Sequence, residues 1–273
     1  MLINGKFEER ISVLNRALQY GDGLFETIAV VNGQPLAWGR HIARLQAGCE
    51  RLKIECPDPS QLVSESSQLC GQSKLAVLKL IVSRGEGGRG YQPAMSMNST
   101  RIFSLHDWPD YPPAYQKDGI EVSVCKTRLG LNPSLAGLKH LNRLEQVLLS
   151  QEVSLGQCPE GLALDIEDRV IEGSMSNIFI VKNGQFLTPS LDKAGVAGVI
   201  RGKILDICKA SGLAYLVTSL SLQDVLNADE VFLCNSIAGV WPVVRIADAA
   251  FETGSYTQKL QKQLASENMI VMS

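Results

Sequence analysis

The 273-residue chain has no Cys-x-x-Cys pair, no marked excess of charge of either sign and no long apolar run. Each absence removes a class of function. Its seven cysteines, at 49, 56, 70, 125, 158, 208 and 234, are odd in number and widely scattered. They read as small core residues of a reducing compartment, not as a disulfide framework or a zinc site. His41, His106 and His140 lack metal-ligand spacing, so no metal is expected. A formal net charge of -2 gives no electrostatic reason for a nucleic-acid or anionic membrane partner. No stretch approaches the roughly 20 apolar residues of a membrane span. Met1–Glu9 shows no basic segment followed by an apolar core, so no secretory leader is expected and the cytoplasm is the expected location. What remains is a globular composition, 45% hydrophobic and 20% charged, with length enough for one large or two medium domains.

Strand-like and helix-like segments alternate along the chain, without internal repeats or low-complexity stretches. Asn4-Gly5, Asn32-Gly33 and Asn183-Gly184 each lie between apolar extended segments. Both residues of such a pair tolerate positive φ, so each predicts a tight hairpin. Antiparallel pairing therefore contributes to the sheets, and the expected class is α+β with mixed or antiparallel sheets. Helical periodicity is clearest from Arg40 to Lys53, where Ile42, Leu45, Cys49 and Leu52 share a face. A second helix is expected from Asn142, with Asn142 and Glu145 as a capping box and Leu144, Val147, Leu148 and Leu155 as its apolar face. A third is expected from Val199 to Ser211, stopped by Gly212. Strands are predicted at 75–83, 101–106, 120–125, 161–166, 177–182 and 230–234. Three prolines in Trp108–Pro113 predict a domain junction. The division is a smaller N-terminal α/β domain over 1–110, a connection over 111–117 and a larger domain over 118–273 that carries Lys139 and Glu172, with a ligand site expected between the two domains.

Lys139 and Glu172 make the most telling pair. A lysine just before a helix ordinarily lies in solvent, and a glutamate at a turn is ordinarily a cap. Together, an amine in an extended stretch between apolar residues and a carboxylate opening the small-residue turn Gly173–Ser176 suit one chemistry. The amine binds a carbonyl cofactor as a Schiff base, and the acid keeps a ring nitrogen protonated so that the ring takes up electrons.

A cofactor with an aldehyde, a pyridine ring and a phosphate also needs an anion site. Gly195–Arg201 leads into a helix and offers backbone N–H groups there. Asn235-Ser236, after a strand, adds side-chain donors. Arg44, next to the apolar face of its helix, suits a bidentate grip on phosphate, although many such arginines only lie along the surface. Gly85–Tyr91 lacks the Gly-Lys-Ser/Thr ending of a phosphate loop and reads as a mobile loop presenting Arg89 to a carboxylated substrate. In Tyr20–Thr27, Phe25 and Thr27 share one strand face.

With these segments in place, the chain resembles the fold-type IV pyridoxal-phosphate enzymes over nearly its whole length, including the D-amino-acid aminotransferase-like fold. Leu138–Val147 and Ser83–Tyr91 resemble the lyase branch, which acts on aminodeoxychorismate and releases 4-aminobenzoate and pyruvate. The resemblance implies that Lys139 binds the cofactor aldehyde, Glu172 meets the pyridine nitrogen, and Arg44, the amides of Val199 and Ile200, and the Ser236 hydroxyl take the phosphate. Thr27 matches a lyase threonine beside the lysine, and either it or Lys139 protonates the pyruvate carbon. Phe25, Arg89 and Tyr91 match substrate-side positions. The loop bearing the last two comes from the partner subunit in parts of the family, so a homodimer is implied. Glu26 departs from some lyases and resembles the D-amino-acid aminotransferases. An aminotransferase for D-amino or branched-chain amino acids is the alternative on the same fold; a non-catalytic binding protein is a remoter one.

Overall fold

A computed structural model of the chain describes residues 1–94 and 97–272. These divide into two compact units, Met1–Pro109 with Lys139–Asn142, and Asp110–Leu138 with Arg143–Ser273.

The first unit contains β1 (Leu2–Ile3), β2 (Lys6–Phe7), α1 (Arg16–Tyr20), β3 (Gly23–Val31), β4 (Gln34–Pro35), α2 (Trp38–Leu52), α3 (Pro59–Cys70), β5 (Leu75–Ser83) and β6 (Thr100–Asp107). Its six strands are ordered β2-β1-β6-β5-β3-β4 and all neighbours are antiparallel. Asn4-Gly5 and Asn32-Gly33 form the predicted hairpins, with all four φ values positive. Alternation decides the faces. Leu24, Glu26, Ile28 and Val30 on β3, with Leu78, Leu80 and Val82 on β5, are buried, whereas Phe25, Thr27, Lys79 and Ile81 are half-buried on the other face. On α2, Ile42, Leu45 and Cys49 are buried and Leu52 is half-buried. Each fully buried side chain of this kind contributes about 1.5–3 kcal/mol.

The second unit contains α4 (Ala114–Lys117), β7 (Ile120–Leu129), α5 (Leu144–Gly156), β8 (Glu160–Asp165), β9 (Arg169–Gly173), β10 (Asn177–Lys182), β11 (Gln185–Pro189), α6 (Val199–Ala210), β12 (Tyr215–Thr218), β13 (Leu220–Ser221), α7 (Leu222–Leu226), β14 (Glu230–Asn235), β15 (Gly239–Ile246), β16 (Ala249–Ala250) and α8 (Ser255–Ser266). A ten-stranded mixed sheet runs β12-β11-β10-β14-β15-β7-β8-β9-β13, with β16 on β15. Asn183-Gly184 turns β10 into β11 as predicted. Ile120, Leu162, Ile178, Val231, Leu233 and Trp241 lie in one continuous core. The α+β class with mixed and antiparallel sheets is therefore the one observed.

Two expectations need correction. Helix α5 begins one residue later than predicted, with Arg143 rather than Asn142 at its N-cap position. Asn142 instead donates its side-chain amide to Gly21 O (3.1 Å), and Glu145 accepts from Gly130 N (2.8 Å), so neither forms a capping box. The helix also faces differently. Leu149 and Val153 are buried with Cys125, Leu129 and Ala163, while Leu144, Val147, Leu148 and Leu155 are exposed. Glu152 fixes that rotation by accepting from the backbone of Thr127 (3.0 Å) and Lys126.

Lys139 is the second correction: it belongs with the first unit, not the second. The reason is backbone pairing. Phe25 N donates to Lys139 O and Leu141 N to Gly23 O, both at 3.0 Å, which adds this stretch to the start of β3.

Candidate active site

In the first unit the sequence-predicted residues fall into two groups on opposite faces of β3, Lys139 with Phe25 on one and Arg44 with Glu26 and His41 on the other. The Lys139 ammonium position lies 4.2 Å from the Phe25 ring centroid, and Lys79 lies 5.6 Å from the same ring. Thr27 follows Phe25 on that face of β3 and is paired across strands with Lys79.

On the opposite face, Glu26 is 1% exposed. Its Oε1 accepts from Arg44 Nε (2.8 Å), and its Oε2 accepts from Arg44 Nη2 and from His41 Nδ1 (2.6 Å). Burial alone would raise the Glu26 pKa, but Arg44 and His41 outweigh it and hold the carboxyl below its ordinary value. Burial pushes His41 down despite Glu26, and the charges of Arg44 and Lys139 add to that. The imidazole is thus neutral, with its proton on Nδ1 toward Glu26. His41 Nε2 is buried with no hydrogen-bond partner among the described residues.

Arg89 and Tyr91 are exposed and lie in a different group, with Arg16 and Tyr20. The Gly85–Tyr91 loop does not hang free. The buried Arg16 donates to Gly90 O (3.1 Å) and Tyr91 O (3.0 Å), and its backbone N–H donates to Gly85 O (2.9 Å). Tyr91, 88% exposed, sets its ring 5.5 Å from that of Tyr20. Arg16 and Arg84 both hold Asp22 at 2.8 Å; they keep its carboxyl low against the opposing effect of burial.

In the second unit, Glu172 is buried on β9. Its Oε2 accepts from Val196 N (2.8 Å) and its Oε1 from Gln146 Nε2 (3.4 Å). Gly195 makes this approach possible: its φ is +82°, and a Cβ there would lie 2.7 Å from Ile171 Cγ2. Arg143 stands close enough to be influenced by Glu172, though burial is the larger influence and lowers the Arg143 pKa. Behind Glu172, the fully buried Glu160 accepts from Gly161 N, Ser174 N, Met175 N and the hydroxyls of Ser174 and Ser176. That carboxylate fixes the turn between β9 and β10.

Val199 and Ile200 are buried in the first turn of α6, whose N-cap residue Gly198 offers no side-chain cap. Arg201 turns away to Thr188 Oγ1 (3.2 Å) and Pro189 O (2.9 Å). Ser236 is half-buried in the β14–β15 turn, which Asn235 shapes by accepting from Ile237 N (2.8 Å) and Ala238 N (2.7 Å). Sequence reading had passed over His41, Lys79, Gln146 and Glu160. Only His41 left a usable signal, three residues before Arg44 and hence on the same side of α2.

Residues 23–246 match the family Amino-transferase class IV, which spans every residue above from Phe25 to Ser236. The chain belongs to the class IV amino-transferase family. Aminodeoxychorismate lyase of Vibrio harveyi is 37% identical over 266 residues, covering 96% of this chain and 98% of that protein. A crystal structure of 4-amino-4-deoxychorismate lyase from Pseudomonas aeruginosa is similar with a TM-score of 0.93 and 44% identity, covering 97% of this chain and 98% of that one. A putative branched-chain-amino-acid aminotransferase of Methanocaldococcus jannaschii is also similar, 31% identical over 273 residues, covering 96% of this chain and 93% of that protein. The fold is therefore that of the fold-type IV aminotransferase-like proteins.

Proposed function

We propose that this chain is a pyridoxal 5'-phosphate-dependent lyase that converts 4-amino-4-deoxychorismate to 4-aminobenzoate and pyruvate. The carrying observation is full-length likeness, at 37% and 44% identity, to two proteins named for that activity. The side chains present fit the cofactor. An amine, a guanidinium, a helix start without a side-chain cap and a buried acid match its aldehyde, phosphate and ring nitrogen. The unpartnered His41 Nε2 marks a polar atom still lacking an interaction beside Arg44.

When bound, the cofactor supplies an aldehyde that condenses with amines and a protonated ring that stabilises negative charge on the adjoining carbon. In this reading Lys139 holds it covalently at rest. Glu172, fixed by Val196 N–H, would face the ring nitrogen and keep it protonated. Arg44, the amides of Val199 and Ile200, and the Ser236 hydroxyl take the phosphate. With the cofactor carrying the substrate amine, the Lys139 amine would be the base that removes the proton from the carbon bearing that nitrogen. Loss of the enolpyruvyl ether oxygen from the neighbouring carbon makes the six-membered ring aromatic. Lys139 or Thr27 delivers the proton that turns enolpyruvate into pyruvate. Lys139 would then be free to hold the cofactor again, and no second amino donor would be needed. Phe25, Arg89 and Tyr91 are assigned to the substrate side, with Arg89 and Tyr91 contributed across a homodimer. The cytoplasm is the proposed location.

The test is to supply purified chain with 4-amino-4-deoxychorismate and score 4-aminobenzoate and pyruvate. Equal yields of both, with the cofactor returned as aldehyde, are expected. Absence of 4-aminobenzoate, together with conversion of the cofactor to its amine form by a D-amino or branched-chain amino acid, would establish the aminotransferase alternative.

A further inference from the structure

Arg44 reaches the phosphate, in the reading above, from a guanidinium already gripped along one edge. The Nε–Nη2 edge faces the two oxygens of Glu26, a side-on pairing that fixes the plane of the group. His41 Nδ1 meets Glu26 Oε2 at 2.6 Å, so the carboxylate cannot rotate without losing a partner. Glu26 is fixed within β3 and His41 and Arg44 lie one turn apart on α2, so both elements of the grip belong to regular structure.

We propose that Glu26 and His41 are positioning residues that hold Arg44 in the orientation a phosphate requires, and thereby set this chain's preference for pyridoxal 5'-phosphate over unphosphorylated pyridoxal. The inference rests on Arg44 being the phosphate ligand. A long arginine loses rotamer freedom when it grips an anion, and Glu26 removes that freedom beforehand. The carboxylate also repels the phosphate, but the guanidinium lies between them and offsets that charge. In Glu26→Gln a charged acceptor with two oxygens becomes a neutral amide with one, so the side-on grip on Nε and Nη2 is broken without a large change in volume.

The experiment uses the full-length chain, freed of cofactor and titrated separately with pyridoxal 5'-phosphate and with pyridoxal, in wild type, E26Q, R44A and the double variant, with melting curves for each. E26Q is expected to weaken pyridoxal 5'-phosphate binding by about tenfold or more while leaving pyridoxal within about twofold. In the R44A background, E26Q is expected to add nothing, because its effect passes through Arg44. Equal loss for both ligands, no loss for either, or effects that multiply in the double variant would overturn the proposal. Should E26Q fail to fold, H41Q carries the same test, with the same ligand selectivity expected and equal losses counting against it. An R44A chain that keeps the wild-type preference for phosphate overturns the reading of Arg44, and this inference with it; an effect missing in E26Q alone overturns only the inference.

Discussion

Glu26 in the first unit and Glu160 in the second are both withdrawn from water, at 1% and 0% exposure, but their surroundings differ. Glu26 is held by a guanidinium and an imidazole carried on a neighbouring helix. Glu160 is held by neutral donors alone among its hydrogen bonds, three amides and two hydroxyls, all from residues 161–176. A carboxylate satisfied by local dipoles closes a turn and stops there. One satisfied by charged, forked groups also fixes the orientation of those groups. The first arrangement holds a turn, and the second holds a guanidinium and an imidazole against a strand.

The comparison breaks most sharply at Lys139. Lys139→Ala should lower 4-aminobenzoate formation at least about 10³-fold without a comparable loss of stability, because the proposed function makes the amine both covalent anchor and base. Borohydride should no longer fix the cofactor to the chain; full turnover in this variant would remove the lysine from the mechanism. Glu172→Gln should retain cofactor yet slow proton removal by about 10²-fold, since ring protonation contributes at the transition state rather than to binding. An unchanged single-turnover rate would show that ring protonation is not limiting.

Glu160→Ala tests the architectural side. Leaving its buried donors without an acceptor should destabilise the chain by about 3 kcal/mol or more, read as a lower denaturation midpoint. A variant that melts normally but turns over slowly would reverse the assignment. The smallest effect is expected from acid. The folded-state pKa of Glu26 lies below its ordinary 4.5, so its stabilising contribution is complete above that value and is lost as pH falls through the folded-state value. His41 is also depressed, from 6.5, so below that pH the unfolded chain binds the proton more readily and stability falls earlier. Denaturation midpoints should therefore decline from pH 7 to pH 5, and less so in His41→Asn. An equal decline in that variant would place the acid sensitivity elsewhere.

Much of the scaffold could be read where local chemistry decides it. The three Asn-Gly hairpins and β5 at 75–83 follow from turn conformation and a continuous apolar run between turn signals. Helix α5 was misread because apolar content does not say which side faces inward; Glu152 and the packing of Leu149 and Val153 do. Strand β15 went unseen because Pro242 interrupts its pattern, yet that residue lies one position before pairing with β7 begins. At the site, Lys139 and Glu172 stood out because each combines an unusual residue with a distinctive local backbone. His41 and Arg16 did not, since their roles depend on partners 15 and about 70 positions away.

The four-residue stretch Lys139–Asn142 has a practical corollary for anyone dissecting this protein. Cutting the gene at Pro109 would yield a fragment that looks self-sufficient in composition but has been robbed of Lys139 and of the backbone partner of Gly23 and Phe25. The complementary fragment would keep the amine on a loop with no strand to dock on. Neither half is an inheritable module, so shuffling or circular permutation should open the chain elsewhere.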